Sequence, residues 1–214
     1  MDIRERILQE ADRLFHAYGI RSVSMDDIAR KAGVSKKTIY QYYQDKDDLV
    51  SVMVYQMLSQ YISDFEAISQ RAQDAVEEMV LGTEQFRKML RMVNPVVLFD
   101  LQKYHPKAWN TYQTFKEEHF LGALIRLLQR GIAEGYFRKE INVEVLARMR
   151  IEQVQMGFDP TIFPPDRYNV MEVQWEFFHH FLHGIVTLQG YSKLLHYRQL
   201  YCQTEKTPQP SISS

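Results

Sequence analysis

Residues 24–46, SMDDIARKAGVSKKTIYQYYQDK, constrain the chain most. They read as a short helix, a glycine turn and a second short helix whose surface is almost wholly polar. Ser24 is placed to cap the first helix by accepting a backbone N–H, and Ile28 and Ala29 face inward. Gly33 stands where the chain must turn through a positive φ, with Val34 filling the corner. Ser35 caps the second helix, and Ile39 is its one buried anchor on a face otherwise made of Lys36, Lys37, Thr38, Tyr40, Gln41 and Tyr42. Ala29, Gly33 and Ile39 have the small, turn and apolar spacing of a helix-turn-helix, whose second helix enters the DNA major groove.

The flanks agree with this reading. Ile3, Ile7, Ala11, Leu14, Phe15 and Tyr18 fall on one helical face, which Gly19 ends. Asp45 opens a further helix with Asp47 and Asp48 in its first turn, where the helix dipole favours anions. The pattern Leu49, Met53, Met57, Tyr61, Phe65 then runs on for several turns. Ile28, Ala29, AGVS at 32–35, Thr38, Ile39, Tyr40, Tyr43, Lys46 and Leu49 closely resemble the TetR (tetracycline-repressor-like) family of transcriptional regulators.

That resemblance implies an all-α chain in which an N-terminal three-helix helix-turn-helix domain binds DNA. A larger helical domain would bind a ligand and dimerise. It is strong over residues 3–50 and architectural beyond. The expected division is 1–48 for the DNA-binding domain, 49–204 for the larger domain and 205–214 for a polar, proline-containing tail, EKTPQPSISS, expected to be disordered. Carried over from the family, the phosphate clamp maps onto Ser24, Thr38, Tyr40 and Lys46. Tyr42 stands where the family often has His and would donate to a phosphate, whereas Tyr43 stands at a usual Phe position and should pack.

Lys36, Lys37 and Gln41 are the candidates for base edges, since Lys donates to guanine N7 and O6 and Gln pairs with adenine N6 and N7. Ser35, as the cap at the start of the same helix, belongs to that surface. The net charge of the whole chain is −1, so affinity for nucleic acid must come from a local patch. Between Arg30 and Lys46 the bases are Arg30, Lys31, Lys36, Lys37 and Lys46, opposed by Asp45.

Beyond residue 70, helical patterns run over 71–93, 95–104, 106–134, 142–157 and 166–203, the last with a break at Gly190. Pro95 and Pro106 suit first-turn positions, and 135–142 and 157–166 read as a turn and a rigid loop. No stretch reads as a strand. Met79, Phe86, Met89, Met92, Phe99, Tyr104, Trp109, Tyr112, Phe115 and Phe120 form a stretch rich in side chains able to line an apolar cavity or to fill an ordinary core. With the resemblance, Phe86, Met89, Phe99, Tyr104, Trp109, Tyr112 and Phe115 become candidate contacts to a lipophilic or aromatic small-molecule effector.

Trp175, Phe177, Phe178, Phe181 and Leu182 make one helix apolar on more than one side, as suits packing on its own subunit and on a partner. The resemblance implies that this helix and 142–157 form a four-helix homodimer bundle. His179, His180 and His183 share a helix but have no Cys or carboxylate pair to complete a metal site, so neither a metal nor another cofactor is expected.

No apolar run has signal-peptide or membrane-spanning length, and the lone Cys202 fits a reducing compartment, so a cytoplasmic protein with no membrane partner is expected. There is no glycine-rich phosphate loop or nucleophile motif, which argues against an enzyme. The expected function is a repressor released from a palindromic double-stranded DNA operator by its effector. The alternatives are an architectural or cell-cycle DNA-binding factor without an inducer, and a small-molecule-binding helical protein with a vestigial DNA head.

Overall fold

The computed structural model describes residues 2–92 and 96–201, and among them the chain is helical with no strand. Pro95, the side chain of Met92, Cys202 and the tail at 205–214 lie outside the described residues. Three helices form the head: α1 (Ile3–Tyr18), α2 (Met25–Lys31) and α3 (Lys36–Tyr42). Ile7, Ala11 and Phe15 of α1 are buried, but Ile3 and Tyr18 sit at the helix ends and stay exposed. The Gly19 amide closes α1 by donating to the Phe15 carbonyl at 2.8 Å.

Helix α4 (Lys46–Arg71) leaves the head as one rod of 26 residues. The Asp45 side chain caps it, accepting from the Asp48 amide at 2.8 Å. Its first three turns complete the head core, with Leu49, Val50 and Val54 at 1 % exposure or less. The expected boundary at 48/49 therefore falls inside a helix, and the first core continues from Ile7, Ile28, Ile39 and Tyr43 through α4 to Val97, Leu101, Ala108 and Phe115.

The larger part comprises α5 (Ala75–Met92), α6 (Val96–Tyr104), α7 (Pro106–Phe115), a π-helical turn (Lys116–Phe120), α8 (Leu121–Ala133), α9 (Val143–Met156), α10 (Val170–Ile185) and α11 (Leu188–Tyr201). Three expectations need correction. The helix expected to begin at 71 begins at 75, because α4 runs on to Arg71 and Asp74 then caps α5, accepting from the amides of Val76 and Glu77 at 3.0 Å each. The expected helix at 106–134 contains the π turn, one wider loop of backbone that periodicity does not announce. The helix expected at 166–203 starts at Val170, after the Asn169 cap, and breaks at Val186 and Thr187 rather than at Gly190.

The break is made by tertiary pairing. Val186 turns extended and bridges to Phe137, with the Arg138 amide donating to the Ile185 carbonyl and the Thr187 amide to that of Tyr136. Gly190 lies within α11, where a Cβ would overlap the Tyr136 carbonyl oxygen, so it is a glycine of close approach. A second core forms around Ala75, Leu128, Phe137, Ala147, Phe178, Leu182 and Leu194.

Candidate nucleic-acid interface and cavity

The head presents α3 on its outside because only one of its seven residues, Ile39, is buried. Ser24 caps α2, accepting from the Asp27 amide at 3.2 Å while its hydroxyl donates to Asp27 at 2.6 Å. That hydroxyl and the Ser24 amide, which donates to the same carboxyl at 3.0 Å, hold Asp27 below its usual range, with Arg30 adding a smaller pull. Gly33 turns the chain at φ 63°, and Ser35 caps α3 by accepting from the Thr38 amide at 3.0 Å. The free N–H groups of the first turn of α3 thus open beside Ser35, Lys36 and Thr38.

Lys37, Tyr40, Gln41 and Tyr42 are exposed together on this helix. Tyr43 is buried and packs, its hydroxyl donating to the Arg4 carbonyl at 3.3 Å. The basic patch is smaller in space than along the chain. Lys36 pairs with Asp26 at 2.9 Å, which raises its pKa, and Arg30 pairs with Asp27. Lys46 is half-buried, its ammonium 5.9 Å from the centroid of the Phe15 ring, and burial lowers its pKa against the pull of Asp100. Lys31 and Lys37 remain as exposed cations with no ion pair among the described residues.

The larger part encloses an open cavity of about 2090 Å³, walled by α4 through Met57, Tyr61 and Phe65 and by α5 through Phe86 and Met89. Leu101 of α6, Tyr112 of α7 and the π turn contribute further wall. Burial pushes the Tyr61 and Tyr112 phenols up to about 12, so both stay neutral hydrogen-bonding groups.

Of the seven effector candidates, Phe86, Met89 and Tyr112 line this cavity. Phe99, Tyr104, Trp109 and Phe115 do not. Phe115 is spent in the first core, edge-on to Tyr55, and Trp109 packs beside it against Tyr112. Phe99 and Tyr104 flank Lys103 on α6, and Tyr104 faces Arg21 of the head.

Two cavity residues escaped the reading of the sequence, Arg150 and Gln174; each, like His179, has a buried side-chain atom lacking a hydrogen-bond partner among the described residues. A signal existed for the first. Ala147, Arg150, Ile151 and Val154 share the three- and four-residue spacing of one face of α9, and Ala147 is fully buried. An arginine on an inward face was there to be noticed. His179 packs on Trp175 with centroids 4.4 Å apart, and His180 is exposed, so the three histidines do not converge; no metal-binding cluster occurs among the described residues.

The cavity and the head are mechanically joined. Asp100 of α6 accepts from the Arg21 amide at 3.2 Å, and His105 bonds Asp47 in the first turn of α4 at 3.0 Å. No described helix is long and apolar enough to cross a membrane.

Residues 7–53 match the model of bacterial regulatory proteins, tetR family. YvaF of Bacillus subtilis (strain 168), described as an uncharacterized HTH-type transcriptional regulator, is 32% identical over 160 residues, which span 73% of this chain and 81% of YvaF. A TetR-family regulator from Agrobacterium tumefaciens superposes with a TM-score of 0.71 at 17% identity, covering 86% of this chain and 98% of that one. The transcriptional regulator FadR from Bacillus subtilis, solved in complex with stearoyl-CoA, superposes with a TM-score of 0.65 at 19% identity over 85% of this chain and 98% of its own. At these identities the structural likeness concerns the fold.

Proposed function

The chain belongs to the TetR family of bacterial regulatory proteins and is a DNA-binding transcriptional regulator, not an enzyme; from that premise we propose that it is a homodimeric repressor released from a palindromic operator by a lipophilic small molecule. The division of labour is a head over residues 1–48, its core completed by the first turns of α4, and a sensing and dimerising part drawn from the remainder of 49–204. Phosphates are taken by the α3 N-terminus with Ser35 and Thr38, by Tyr40 and Tyr42, and by Ser24 and Lys46. For Lys46 to serve, its ammonium must swing off Phe15 as DNA arrives. Bases are read by Lys36, Lys37 and Gln41.

The observation that carries this reading is the double use of α4: its first turns are core of the head, and its later turns wall the cavity. A ligand that prefers one position of α4 or α6 therefore biases the position of α3 through Asp100 and Asp47, which is population shift. FadR, with this fold, is seen with stearoyl-CoA, which supports a lipophilic effector here. Val145 and Met149 on α9 and His180 and Gly184 on α10 are exposed, which supports the use of those helices between two copies.

Selection of duplexes from a random pool by the purified protein tests the reading, with Tyr40→Ala as control. A palindromic consensus that disappears in the variant is expected. Enrichment without two-fold symmetry, or enrichment that survives in Tyr40→Ala, would overturn the docking model.

A further inference from the structure

Of the six lysines and arginines that line the cavity, Arg87, Lys116 and Arg130 are in ion pairs, Arg126 is exposed, and Arg198 lies 5.7 Å from the centroid of the Trp175 ring. Lys116 pairs with Glu152 at 2.9 Å, and Arg130 pairs with Glu78 and Glu134. Arg150 is different. It is 8 % exposed, its Nη1 has no hydrogen-bond partner, and it enters no ion pair among the described residues. Burial pushes its guanidinium down to about 10, which still leaves it charged at neutral pH. Among the described residues its compensation is the Phe178 ring, 5.8 Å away.

A buried, unpaired charge is strongly unfavourable in a folded chain, and a forked guanidinium suits a planar acid group. Gln174 lies one turn before Phe178 on α10, so it shares that stretch of wall. It is 2 % exposed and its Nε2 donates to the Val154 carbonyl at 2.7 Å. That bond fixes the amide orientation and leaves Oε1 buried without a donor. It is free to accept from a hydroxyl, an N–H or a water carried in with a ligand. The same cavity is also lined by the apolar Val154, Phe158 and Leu124 and by the Tyr112 phenol.

We infer that the effector is an amphiphile whose acid group is bound by Arg150 at the α9–α10 wall, with its apolar body lying in the cavity toward α4 and α5. The inference rests on the effector reading above and narrows it from lipophilic to anionic and lipophilic. Arg150 is the specificity residue: it separates acids from alcohols of the same chain length, and a carboxylate and a phosphate monoester share the chemistry it selects.

The test is calorimetric titration of the full-length protein with decanoate, decyl phosphate and decan-1-ol, with operator affinity measured in the same samples. At least one of the two anions should bind tenfold or more tighter than decan-1-ol, a difference of about 1.4 kcal/mol. Which one does so identifies the head group. Arg150→Met should reduce that preference below threefold while leaving decan-1-ol binding unchanged. Arg150→Lys, which keeps the charge, should retain a preference and serves if the Met variant loses helicity.

Equal binding of acid and alcohol by the native protein, an undiminished preference in a folded Arg150→Met, or no binding of any of the three would overturn the inference. Selective acid binding that leaves operator affinity unchanged would sink the induction reading and spare this one. Release from DNA by decan-1-ol as readily as by the acids would do the reverse.

Discussion

The two halves of α4 are built on opposite principles. From Leu49 to Val54 its inward residues are sealed in the head core, and Asp45 and Asp48 lock its start. From Met57 to Phe65 the inward Met57, Tyr61, Ile62 and Phe65 are half-buried along a cavity whose near end is closed by the buried Val54 and Leu58. Close packing fixes position, and a cavity leaves room for alternative arrangements. A regulator needs the first where it presents α3 to DNA and the second where a ligand must alter the balance. One continuous helix supplies both.

The sharpest way to break this contrast is to truncate both halves. Leu49→Ala should cost about 2 to 5 kcal/mol of unfolding free energy, because the surrounding core cannot close the void. Phe65→Ala, which only enlarges an existing cavity, should cost less than half as much. Equal losses in denaturant titrations would show that the cavity wall is packed as rigidly as the head.

The next effect is on DNA alone. Tyr40→Ala should weaken binding to all duplexes by about tenfold and lower the slope of log K against log salt by about 0.9 for each phosphate that the variant no longer engages. It should leave ligand binding in the cavity unchanged. Gln41→Ala should instead flatten discrimination at one base position, by about 1 to 3 kcal/mol between cognate and substituted sites. Removing the cap of α2 by Ser24→Ala should cost about 1 kcal/mol in stability, read from the thermal midpoint.

The smallest effect distinguishes the far side of the cavity from the head by pH. Asp74 caps α5 and is held by Lys193 and Tyr197 of α11. Burial would raise its pKa, but the hydrogen bonds from Lys193, the Glu77 amide and Tyr197 outweigh it, and the net direction is down. A carboxyl lowered in the fold stabilises above its unfolded value of 3.8, and that contribution is lost as pH falls through the folded value. Lys193→Met should therefore bring acid unfolding, followed by circular dichroism, to a higher pH. An unmoved midpoint would show that the packing of α5 on α11 does not depend on this cluster.

The head was legible because its signals are local. Ser24, Gly33, Ser35, Ile39 and Asp45 act on neighbours within four residues, through caps, a turn and one anchor, so their order in the chain already states their geometry. The effector candidates were legible only in part. Apolar and aromatic side chains look alike along a sequence whether they fill a core, as Phe115 and Trp109 do, or wall a cavity, as Phe86, Met89 and Tyr112 do.

What the residues determined alone was the all-helical class, the DNA-reading element and the family, each written in spacings shorter than two turns. Tertiary structure decided the rest. It placed the break at Val186 through a bridge to Phe137, gave Gly190 to a close approach, and tied Lys36 of α3 to Asp26 of α2. It also left Arg150 buried beside Phe178 with no ion pair among the described residues. Each depends on atoms brought together from distant or differently oriented segments, and the energy of a buried charge or a filled gap is set by that surrounding, not by the order of residues along the chain.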